Sequence, residues 1–478
     1  MQNIRSRRIL SLSVSASLVV VMLNVCCEVI ATDAIRPNIV LFVADDLGWS
    51  DLGYSGSSFY ESPNIDALSK RGMIFTNAYS NGPNCAPSRA SLISGMYTPR
   101  HGIYTVASSA RGKSKNRQLI PIENTTVLRD DIDTLPEQLR SLGYRTGHFG
   151  KWHLGADPTT QGMDINIAGR EWGSPSGGGY RSPFSFPNLK VDKPGSYLTD
   201  RISEAACDFI RESKDTPFFV YLSHYSVHTP IQPKKQYVDH FMNKPKDRGH
   251  NNFGYAAMIQ SLDESMGRII KTLADQKLSD NTIVIFVSDN GGHGGVTSNR
   301  PLRGSKGMLY EGGIRVPMIV DWPGKTIPGT SSDQPVIGVD LLPTILEMTN
   351  AKVVVKSGGQ PRDGISLVSL LNGSSQQIVH RPLFWHFPSY LQGFGMSGSD
   401  DPFRTRPAGA VRLGDWKLIE FFETGRVELY NLVDDISETN NVAKLNPDRT
   451  ALLLEKLTSW RLAVNAPVPK ELNPDYEN

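Results

Sequence analysis

Two pairs of adjacent side chains with carboxylate or amide oxygens each follow a run of apolar residues in this 478-residue chain. The pairs are Asp45 with Asp46 and Asp289 with Asn290. Carboxylate and amide oxygens with no thiolate or imidazole beside them suit Ca²⁺ or Mg²⁺ better than zinc. An aspartate after a strand can equally cap the next helix, so one pair alone leaves both interpretations open. Two such pairs with cationic residues nearby favour a metal site.

Three more polar side chains, Lys151, His153 and His228, follow the ends of other predicted strands. Ligands of open α/β sheets bind at the carboxyl ends of the strands, so we expect these residues to share one site with the two pairs. Histidine suits proton transfer in such a site because its pKa lies near neutrality. His224 precedes His228 closely and is a further candidate for lining the pocket.

The elements that must position these side chains alternate between strands and helices. Continuous apolar runs predict buried strands, whereas apolar repeats at helical spacing and capping residues predict helices. The predicted strands cover 38–44, 146–149, 218–222, 282–287 and 316–320, and the predicted helices follow Ser62-Pro63, Thr134 and Asp340 or span 258–273. This alternation predicts an α/β fold in which a central, mainly parallel sheet lies between helices.

The carboxyl-terminal part of the chain has a different pattern. Residues 416–422 and 427–432 flank a turn and predict an antiparallel hairpin, and 449–465 predicts a closing amphipathic helix. We therefore predict a larger domain over 35–377 and a smaller α+β subdomain with an antiparallel sheet over 378–478.

The amino terminus has the pattern of a secretory signal. Three arginines precede an uncharged stretch over 9–27, and the small residue Ala31 follows. An uncleaved anchor is the alternative because the stretch approaches the length of a membrane span, although its serines and Asn24 make it a poor one. We predict a signal peptide over 1–31 and a secreted or periplasmic protein with no other membrane segment.

Composition and cysteine usage exclude several classes of protein. A net charge of +2 gives no field for nucleic-acid binding, and four cysteines are too few for a disulfide scaffold. Signal cleavage would remove Cys26 and Cys27, and Cys207 lies in a helical pattern typical of a buried core residue. Cys85 lies in a segment with no apolar periodicity, which we interpret as a loop, and it requires another explanation.

Six ordered sequence blocks resemble the type I sulfatases of the alkaline-phosphatase superfamily. The first is Cys85-Ala-Pro-Ser-Arg89 with Leu92 and Ser94-Gly95, similar to the family signature except that Ser94 replaces threonine. The others are Val43-Ala-Asp-Asp-Leu-Gly48, Gly150-Lys-Trp-His153, His228-Thr-Pro230, Ser288-Asp-Asn-Gly-Gly292 and Gly304-Ser-Lys-Gly307. The resemblance runs from Pro37 almost to the carboxyl terminus and implies an alkaline-phosphatase-like fold.

In that family the motif cysteine is converted to formylglycine in the nascent chain, and the aldehyde hydrates to a diol. This modification would explain the isolated Cys85, and it implies a formylglycine-generating enzyme as a partner during biosynthesis. The resemblance also implies a Ca²⁺ ion. Its ligands would be Asp45, Asp46, Asp289, Asn290 and the residue at position 85.

The resemblance assigns roles to the cations and histidines. Arg89 would stabilise the ionised formylglycine hydroxyl, and Lys151 and Lys306 would hold sulfate oxygens. His228 would protonate the leaving alcohol, with Lys306 as a second candidate for this role. His153 would accept the proton of the second hydroxyl as sulfate leaves.

We therefore expect a secreted, Ca²⁺-dependent sulfatase acting on a sulfated carbohydrate. The Gly/Ser/Pro-rich segments 173–196 and 393–409 are predicted as long loops that line a substrate cleft. Candidates for sugar contact are Trp385, Tyr390, Arg404, Arg406, His101 and His386. Two alternatives stay open, namely a phosphonate or phosphate ester hydrolase of the same superfamily and an inactive glycan-binding homologue.

Overall fold

Apolar strands and the helices on either side of them make up the described part of the protein. The computed structural model describes residues 36–190, 193–350, 360–375, 377–393 and 401–477. The predicted signal peptide at 1–31 lies outside these residues. None of the helices within the described ranges is long and apolar enough to cross a lipid bilayer.

The elements have the following bounds. The strands are β1 (Asn38–Ala44), β2 (Met73–Phe75), β3 (Ala78–Tyr79), β4 (Arg145–Gly150), β5 (Ile165–Ile167), β6 (Phe218–Ser223), β7 (Thr282–Ser288), β8 (Met318–Asp321), β9 (Thr330–Ser332), β10 (Val336–Ile337), β11 (Leu383–Phe387), β12 (Leu391–Gln392), β13 (Phe403–Thr405), β14 (Ala408–Leu413), β15 (Trp416–Phe421) and β16 (Arg426–Asn431). The α-helices are α1 (Pro63–Arg71), α2 (Cys85–Ser94), α3 (Thr98–His101), α4 (Leu135–Ser141), α5 (Leu198–Glu212), α6 (Lys235–Met242), α7 (Phe253–Asp275), α8 (Glu311–Ile314), α9 (Leu341–Met348), α10 (Val368–Leu371) and α11 (Pro447–Ala463). Short 3₁₀ turns lie at Ser114–Asn116, Pro158–Gln161, Ser279–Asn281 and Gly338–Asp340.

Eight of the described strands form the central sheet, in the order β5-β4-β6-β1-β7-β8-β2-β9. The first five strands in this order, β5, β4, β6, β1 and β7, are parallel to one another, whereas β8 runs antiparallel to both of its neighbours. The predicted mainly parallel sheet is thus confirmed. Strand β8 begins later than predicted because the Val316 N–H donates to the carbonyl of Ala78 instead of joining the β7 ladder.

Helices cover both faces of this sheet. Val40 and Phe42 of β1 pack into a core with α1, α5, α6 and α7, whereas Ile39 and Leu41 pack into a second core with α2, α4 and α9. Alternate residues of one buried strand therefore enter two different cores, as a doubly wound sheet requires. Cys207 is buried in the first core, as predicted.

A second sheet, in the order β11-β14-β15-β16, is antiparallel throughout. Its β15–β16 hairpin confirms the predicted hairpin, and α11 begins two residues before the predicted start. Trp385 of β11 packs with Tyr79, and its indole N–H donates to the Ser80 carbonyl over 2.7 Å. The antiparallel sheet therefore shares a core with β3, which pairs with β10 outside the central sheet, and the division at residue 378 stays a prediction.

Three buried charges also join the antiparallel sheet to α8, and we call them the Lys417 cluster. Lys417 of β15 places its Nζ 2.9 Å from Glu311 Oε1 and 2.9 Å from Glu438 Oε1. The side chains of all three residues are 0% exposed. Glu311 also accepts a hydrogen bond of 2.6 Å from the Tyr79 hydroxyl.

The chain after α11 returns to the loop that follows α3. The Ile120 N–H donates to the Glu471 carbonyl over 2.9 Å, and the Asn473 N–H donates to the Gln118 carbonyl over 2.9 Å. The Asn473 side chain adds a 2.8 Å bond to the Arg117 carbonyl. Residues 466–477 therefore hold this loop against the protein.

Candidate active site

The carboxyl ends of β1, β4, β6 and β7 meet at one edge of the central sheet. Asp45 and Asp46 follow β1, Lys151 follows β4, and Asp289 follows β7. A close approach of backbone requires glycine at Gly150, because a Cβ there would lie 1.9 Å from the Ser223 carbonyl oxygen and its φ is +108°. The sheet therefore brings the predicted strand-end residues together.

Helix α2 carries the motif cysteine into this site. Cys85 is the first residue of α2, so the interpretation of this segment as a loop was wrong. All ten residues of α2 are buried, and a helix covered on every side has no polar face to produce a periodic pattern. Cys85 Sγ lies 3.6 Å from Asp45 Oδ1 and 3.9 Å from Asp46 Oδ1. Burial raises the pKa of the Cys85 thiol to about 12, so the unmodified cysteine is a poor nucleophile at neutral pH.

Each carboxylate beside Cys85 contacts a buried cation. Lys151 Nζ lies 2.7 Å from Asp45, and Lys306 Nζ lies 2.7 Å from Asp46. Burial opposes ionisation of Asp46, yet the nearby charge of Lys306 holds its pKa well below the usual range. Burial raises the pKa of Asp45 to about 7, because the attraction of Lys151 only partly offsets the burial.

Arg89 is fixed by several partners inside the protein. Its Nη2 lies 2.7 Å from Asp289 Oδ2, and its Nη1 donates to the Ser223 hydroxyl and to the Lys151 carbonyl. The Arg89 side chain is 0% exposed, and Asp289 and Asp45 raise its pKa against the opposing effect of burial. This guanidinium is therefore permanently charged and held in one orientation.

The oxygen donors form a set that fits a hard cation. Ligand atoms of Asp45, Cys85 and Asp289 lie within 4.8 Å of one another. Asn290 donates its Nδ2–H to Asp46 over 2.8 Å, and its buried Oδ1 has no hydrogen-bond partner among the described residues. Carboxylates with an unpaired amide oxygen are the ligands that Ca²⁺ prefers. The donor set therefore fits the Ca²⁺ ion that the sequence implies.

Two histidines face the same space. The His228 Nδ1–H donates to the Thr229 carbonyl over 2.6 Å, which leaves Nε2 3.6 Å from Asp46 Oδ2. Burial, together with the nearby charge of Lys306, lowers the pKa of His228 to about 3. His153 packs against Gly173, where a Cβ would lie 2.4 Å from the imidazole ring. Burial and Lys151 lower the pKa of His153, and its Nδ1 has no hydrogen-bond partner among the described residues.

These side chains open onto a cavity of 330 Å³, which we call the Cys85 cavity. It is lined by Asn84, Cys85, Val106, Ala107, Arg111, His153, Gly173, Ser174, His228, Thr229, His293, Lys306, Gly307, Leu391 and Arg404. Gly173 and Ser174 belong to the predicted loop segment 173–196. Arg404 lies on β13, so the prediction of a long loop over 393–409 was wrong, because strand pairing places β13 and the start of β14 in this segment. Sequence reasoning missed Arg111 and His293; the position of His293 next to the block that ends at Gly292 is the signal that could have identified it.

Three histidine candidates lie elsewhere. His224 is fully buried, with its Nε2 2.7 Å from the Ser265 hydroxyl, and His101 Nε2 lies 3.0 Å from the Ser91 hydroxyl. His386 is buried and bonds to the Pro467 carbonyl over 2.8 Å. Burial lowers the pKa of each, so these histidines are neutral core residues and do not line the Cys85 cavity.

Of the four aromatic and arginine candidates for sugar contact, three also belong to the protein interior or to ion pairs. Trp385 and Tyr390 are at most 1% exposed. Arg406 pairs with Asp401 and with Glu423 and does not line the cavity. Arg404 is the candidate that reaches the cavity. Strand pairing and side-chain burial decided these positions, and neither is visible in local sequence.

The fold and the Cys85 cavity together place the protein in the class of alkaline-phosphatase-like hydrolases. A family model for sulfatases matches residues 37–351, and a model for the carboxyl-terminal part of N-sulphoglucosamine sulphohydrolase matches residues 305–461. The chain therefore belongs to the sulfatase family, whose members are sulfuric ester hydrolases.

Individual relatives agree with this assignment. A sulfatase of Formosa agariphila is 34% identical over 90% of this chain and 90% of its own length. The N-acetylgalactosamine-6-sulfatase of Homo sapiens is 33% identical over 73% of this chain and 68% of its own length. The crystal structure of Ps i-CgsB in complex with k-i-k-neocarrahexaose is 28% identical, with a TM-score of 0.73 over 92% of this chain and 94% of its own.

Proposed function

We propose that this chain is an exported, Ca²⁺-dependent sulfatase that hydrolyses a sulfate ester of a carbohydrate, with Cys85 converted to formylglycine. The observation that carries the proposal is the cluster of Cys85, three buried carboxylates and three cations next to one cavity, which Cys85 and Lys306 line. Support for a carbohydrate comes from relatives, of which one is named for N-acetylgalactosamine 6-sulfate and another was crystallised with a neocarrahexaose. Export rests on the amino-terminal sequence alone.

The charges of the site favour a cation together with an anionic substrate. Three carboxylates face three cations, so these side chains alone have no net charge when all are ionised. A sulfate ester adds a negative charge in a site shielded from water, where an uncompensated charge is costly. A Ca²⁺ ion held by Asp45, Asp46, Asp289, Asn290 and the residue at position 85 would offset that charge. Such an ion would also supply the Lewis acidity that a nucleophilic hydroxyl requires.

The fixed cations would hold the sulfate group. Formylglycine at position 85 would supply a geminal diol, whose first hydroxyl attacks sulfur and whose second allows sulfate to be released. Arg89, locked by Asp289 and Ser223, stabilises negative charge next to position 85. Lys151, beside Asp45, and Lys306, beside Asp46, would offer N–H donors to the sulfate group. Charge-assisted hydrogen bonds from these donors would stabilise the negative charge that develops on the sulfate oxygens.

The histidines would move the protons. His228 keeps its Nδ1–H bonded to the Thr229 carbonyl, so the proton for the leaving oxygen must be carried on Nε2. Besides burial, the charge of Lys306 contributes to the low pKa of His228, so a bound sulfate ester that offsets this charge would raise the pKa and favour protonation of Nε2. His153 keeps its Nδ1 free of partners among the described residues and can accept a proton as sulfate is released. Sugar alcohols are poor leaving groups, and a positioned acid is therefore needed for a carbohydrate substrate.

A matched pair of esters tests the reaction class. We expect the purified, matured protein to release sulfate from 4-nitrophenyl sulfate or from defined sulfated oligosaccharides with a much higher kcat/KM than it shows on 4-nitrophenyl phosphate. N-acetylgalactosamine 6-sulfate belongs in the oligosaccharide screen. A clear preference for the phosphate ester would indicate a phosphate or phosphonate ester hydrolase instead.

The metal and the modification can be tested without turnover. Removal of divalent cations by chelation should lower the thermal midpoint, and Ca²⁺ should restore it with a concentration dependence that Mg²⁺ does not match. Mass spectrometry of the peptide that contains Cys85, from protein made in its native host, should show formylglycine in place of the thiol. An unmodified thiol would favour the inactive glycan-binding alternative.

A further inference from the structure

Two arginines reach the Cys85 cavity and form no ion pair with a carboxylate of the described residues. Arg111 and Arg404 both line the cavity, and both are partly exposed. The Arg404 guanidinium makes a 3.2 Å hydrogen bond from Nη1 to the Lys306 carbonyl, and its buried Nε has no partner in the described part of the chain. The Arg111 side chain has no ion pair within that part. The donors of both groups are thus available to a ligand in the cavity.

A neighbouring arginine that does not line the cavity forms ion pairs that Arg404 does not form with the described residues. Arg406 lies two residues after Arg404, and its guanidinium contacts Asp401 Oδ1 over 3.0 Å and Glu423 Oε2 over 2.7 Å. The ion pairs of Asp401 and Glu423 described above are thus made with Arg406, whereas Arg404 lies on β13 and lines the cavity. Within the described residues, carboxylates next to β13 pair with Arg406 and none forms an ion pair with Arg404.

The two free guanidinium groups also repel each other. Burial lowers the pKa of Arg404, and the positive charge of Arg111 lowers it further. Burial lowers the pKa of Arg111 as well. Like charges in a partly desolvated space destabilise each other, and an anion placed between them replaces that repulsion with two attractions. Guanidinium groups are suited to this task because their fixed fork binds oxyanions with paired hydrogen bonds.

The arginine pair lies next to the predicted sulfate site. Arg404 bonds to the backbone of Lys306, whose Nζ lies 2.7 Å from Asp46. The pair and the nucleophile position also share one cavity of 330 Å³. A substrate with its reacting sulfate at position 85 therefore extends its neighbouring substituents toward Arg111 and Arg404.

We propose that Arg111 and Arg404 bind a second anionic substituent of the substrate, a sulfate ester or a carboxylate, beside the sulfate that is hydrolysed. This inference rests on the proposed function and narrows its substrate class to carbohydrates with at least two anionic groups on the same or adjacent sugars. The pair acts in substrate discrimination and takes no part in the proton transfers.

Sugar-free probes test the second anion site directly. The probes are ethane-1,2-, propane-1,3- and butane-1,4-disulfonate, the alkane monosulfonates of the same lengths, and the corresponding sulfo-carboxylates. Binding is measured by ligand-detected NMR titration of the full Cys85→Ala chain with Ca²⁺, at constant ionic strength because screening weakens charge interactions. The measurement depends neither on maturation nor on turnover.

We expect at least one disulfonate to bind about tenfold more tightly than its monosulfonate, as charge-assisted hydrogen bonds to a second anion provide. Arg111→Met or Arg404→Met in the Cys85→Ala chain should bring that ratio close to one, because methionine retains an apolar stem and removes the charge. Arg406→Met is the matched control and should leave the ratio unchanged. The sulfo-carboxylates show whether a carboxylate or only a sulfonate is accepted.

Each outcome decides the inference. A disulfonate that binds no more tightly than its monosulfonate, or does not bind, overturns it. A preference that Arg406→Met weakens as much as Arg404→Met reflects general electrostatic attraction and also overturns it. Failure of the proposed function is distinguishable, because a chain that shows the arginine-dependent preference but never releases sulfate retains the anion site and loses the assignment as an active sulfatase.

Discussion

Among the described residues, Lys417 is the cation that contacts both Glu311 and Glu438, and we predict that Lys417→Met lowers the free energy of unfolding by about 3–5 kcal/mol. Its Nζ lies 2.9 Å from each glutamate, and none of the three side chains is exposed. Removal of this cation leaves a buried carboxylate without its charge partner in a medium of low polarity. The substitution keeps most of the side-chain volume, so the loss reports charge and not a cavity.

The contacts that remain after the substitution set the size of the effect. Glu311 keeps the Tyr79 hydroxyl at 2.6 Å and Arg315 at 3.4 Å, so it stays compensated. Glu438 keeps the Glu311 N–H at 2.7 Å and loses its cation. Burial raises the pKa of Glu438 to about 7 even with Lys417 in place, so the variant must protonate this carboxyl at neutral pH. Protonation limits the cost, and the loss should therefore not exceed the stated range.

Equilibrium urea denaturation at neutral pH, followed by tryptophan fluorescence, measures the loss. The double variant Lys417→Met/Glu438→Gln should recover more than half of it, because the unpaired charge is gone. Lys271→Met is the matched control, since its ion pair with Asp275 is 75% and 55% exposed and should contribute less than about 1 kcal/mol. A loss below about 1 kcal/mol for Lys417→Met, or no recovery in the double variant, would refute the reasoning.

Three further predictions concern pH, proton transfer and backbone fit. The Glu438 carboxyl has a pKa of about 7 in the folded protein against 4.5 in a free chain, so the wild type loses stability from this group as the pH rises between these two values. In urea denaturation, Glu438→Gln should therefore gain stability relative to wild type from pH 5 to pH 7.5. A stability difference between the two proteins that stays constant over this range would contradict the prediction. His228→Ala should reduce kcat/KM far more on a sugar sulfate than on 4-nitrophenyl sulfate, because only the sugar needs a proton to leave, and equal losses would argue against the acid role. Gly150→Ala should destabilise the protein by at least about 3 kcal/mol, because the new Cβ would lie 1.9 Å from a backbone oxygen and the residue has a φ of +108°. An unfolding midpoint equal to that of the wild type would exclude this close approach.

Local sequence patterns predicted the sheet and the strand-end residues because both depend on short-range features. An apolar strand that ends in Asp45-Asp46 is readable from its own residues, and the parallel arrangement then places Asp289 beside it. Helix α2 was not predicted because its complete burial removes the polar face that marks a surface helix. The position of Arg111 in the cavity depends on loop geometry, for which the sequence carries no signal.

The histidine and aromatic candidates were predicted as ligand contacts and lie in the protein interior, which local sequence patterns also do not reveal. Residue type made His224 and Trp385 plausible ligand contacts, and only packing against distant segments shows that both are interior. His224 bonds to Ser265 on α7, and Trp385 bonds to Ser80 near β3. Contacts between residues so far apart in the chain arise from the tertiary fold, which a single sequence does not reveal.

The return of residues 466–477 to the loop after α3 has a practical consequence. The backbone bonds at Gln118 and Ile120 fix a loop that also carries Arg111, whereas Cys85 begins α2, and Asp45, Lys151 and Asp289 directly follow strands of the central sheet. With the role proposed for Arg111, an affinity tag fused to residues 466–477, or a protease that trims them, would change the selection among substrates more than the rate of bond cleavage. Under the same proposal, preparations that differ only in this segment would give equal turnover on a small aryl ester and different relative rates on esters with two anionic groups.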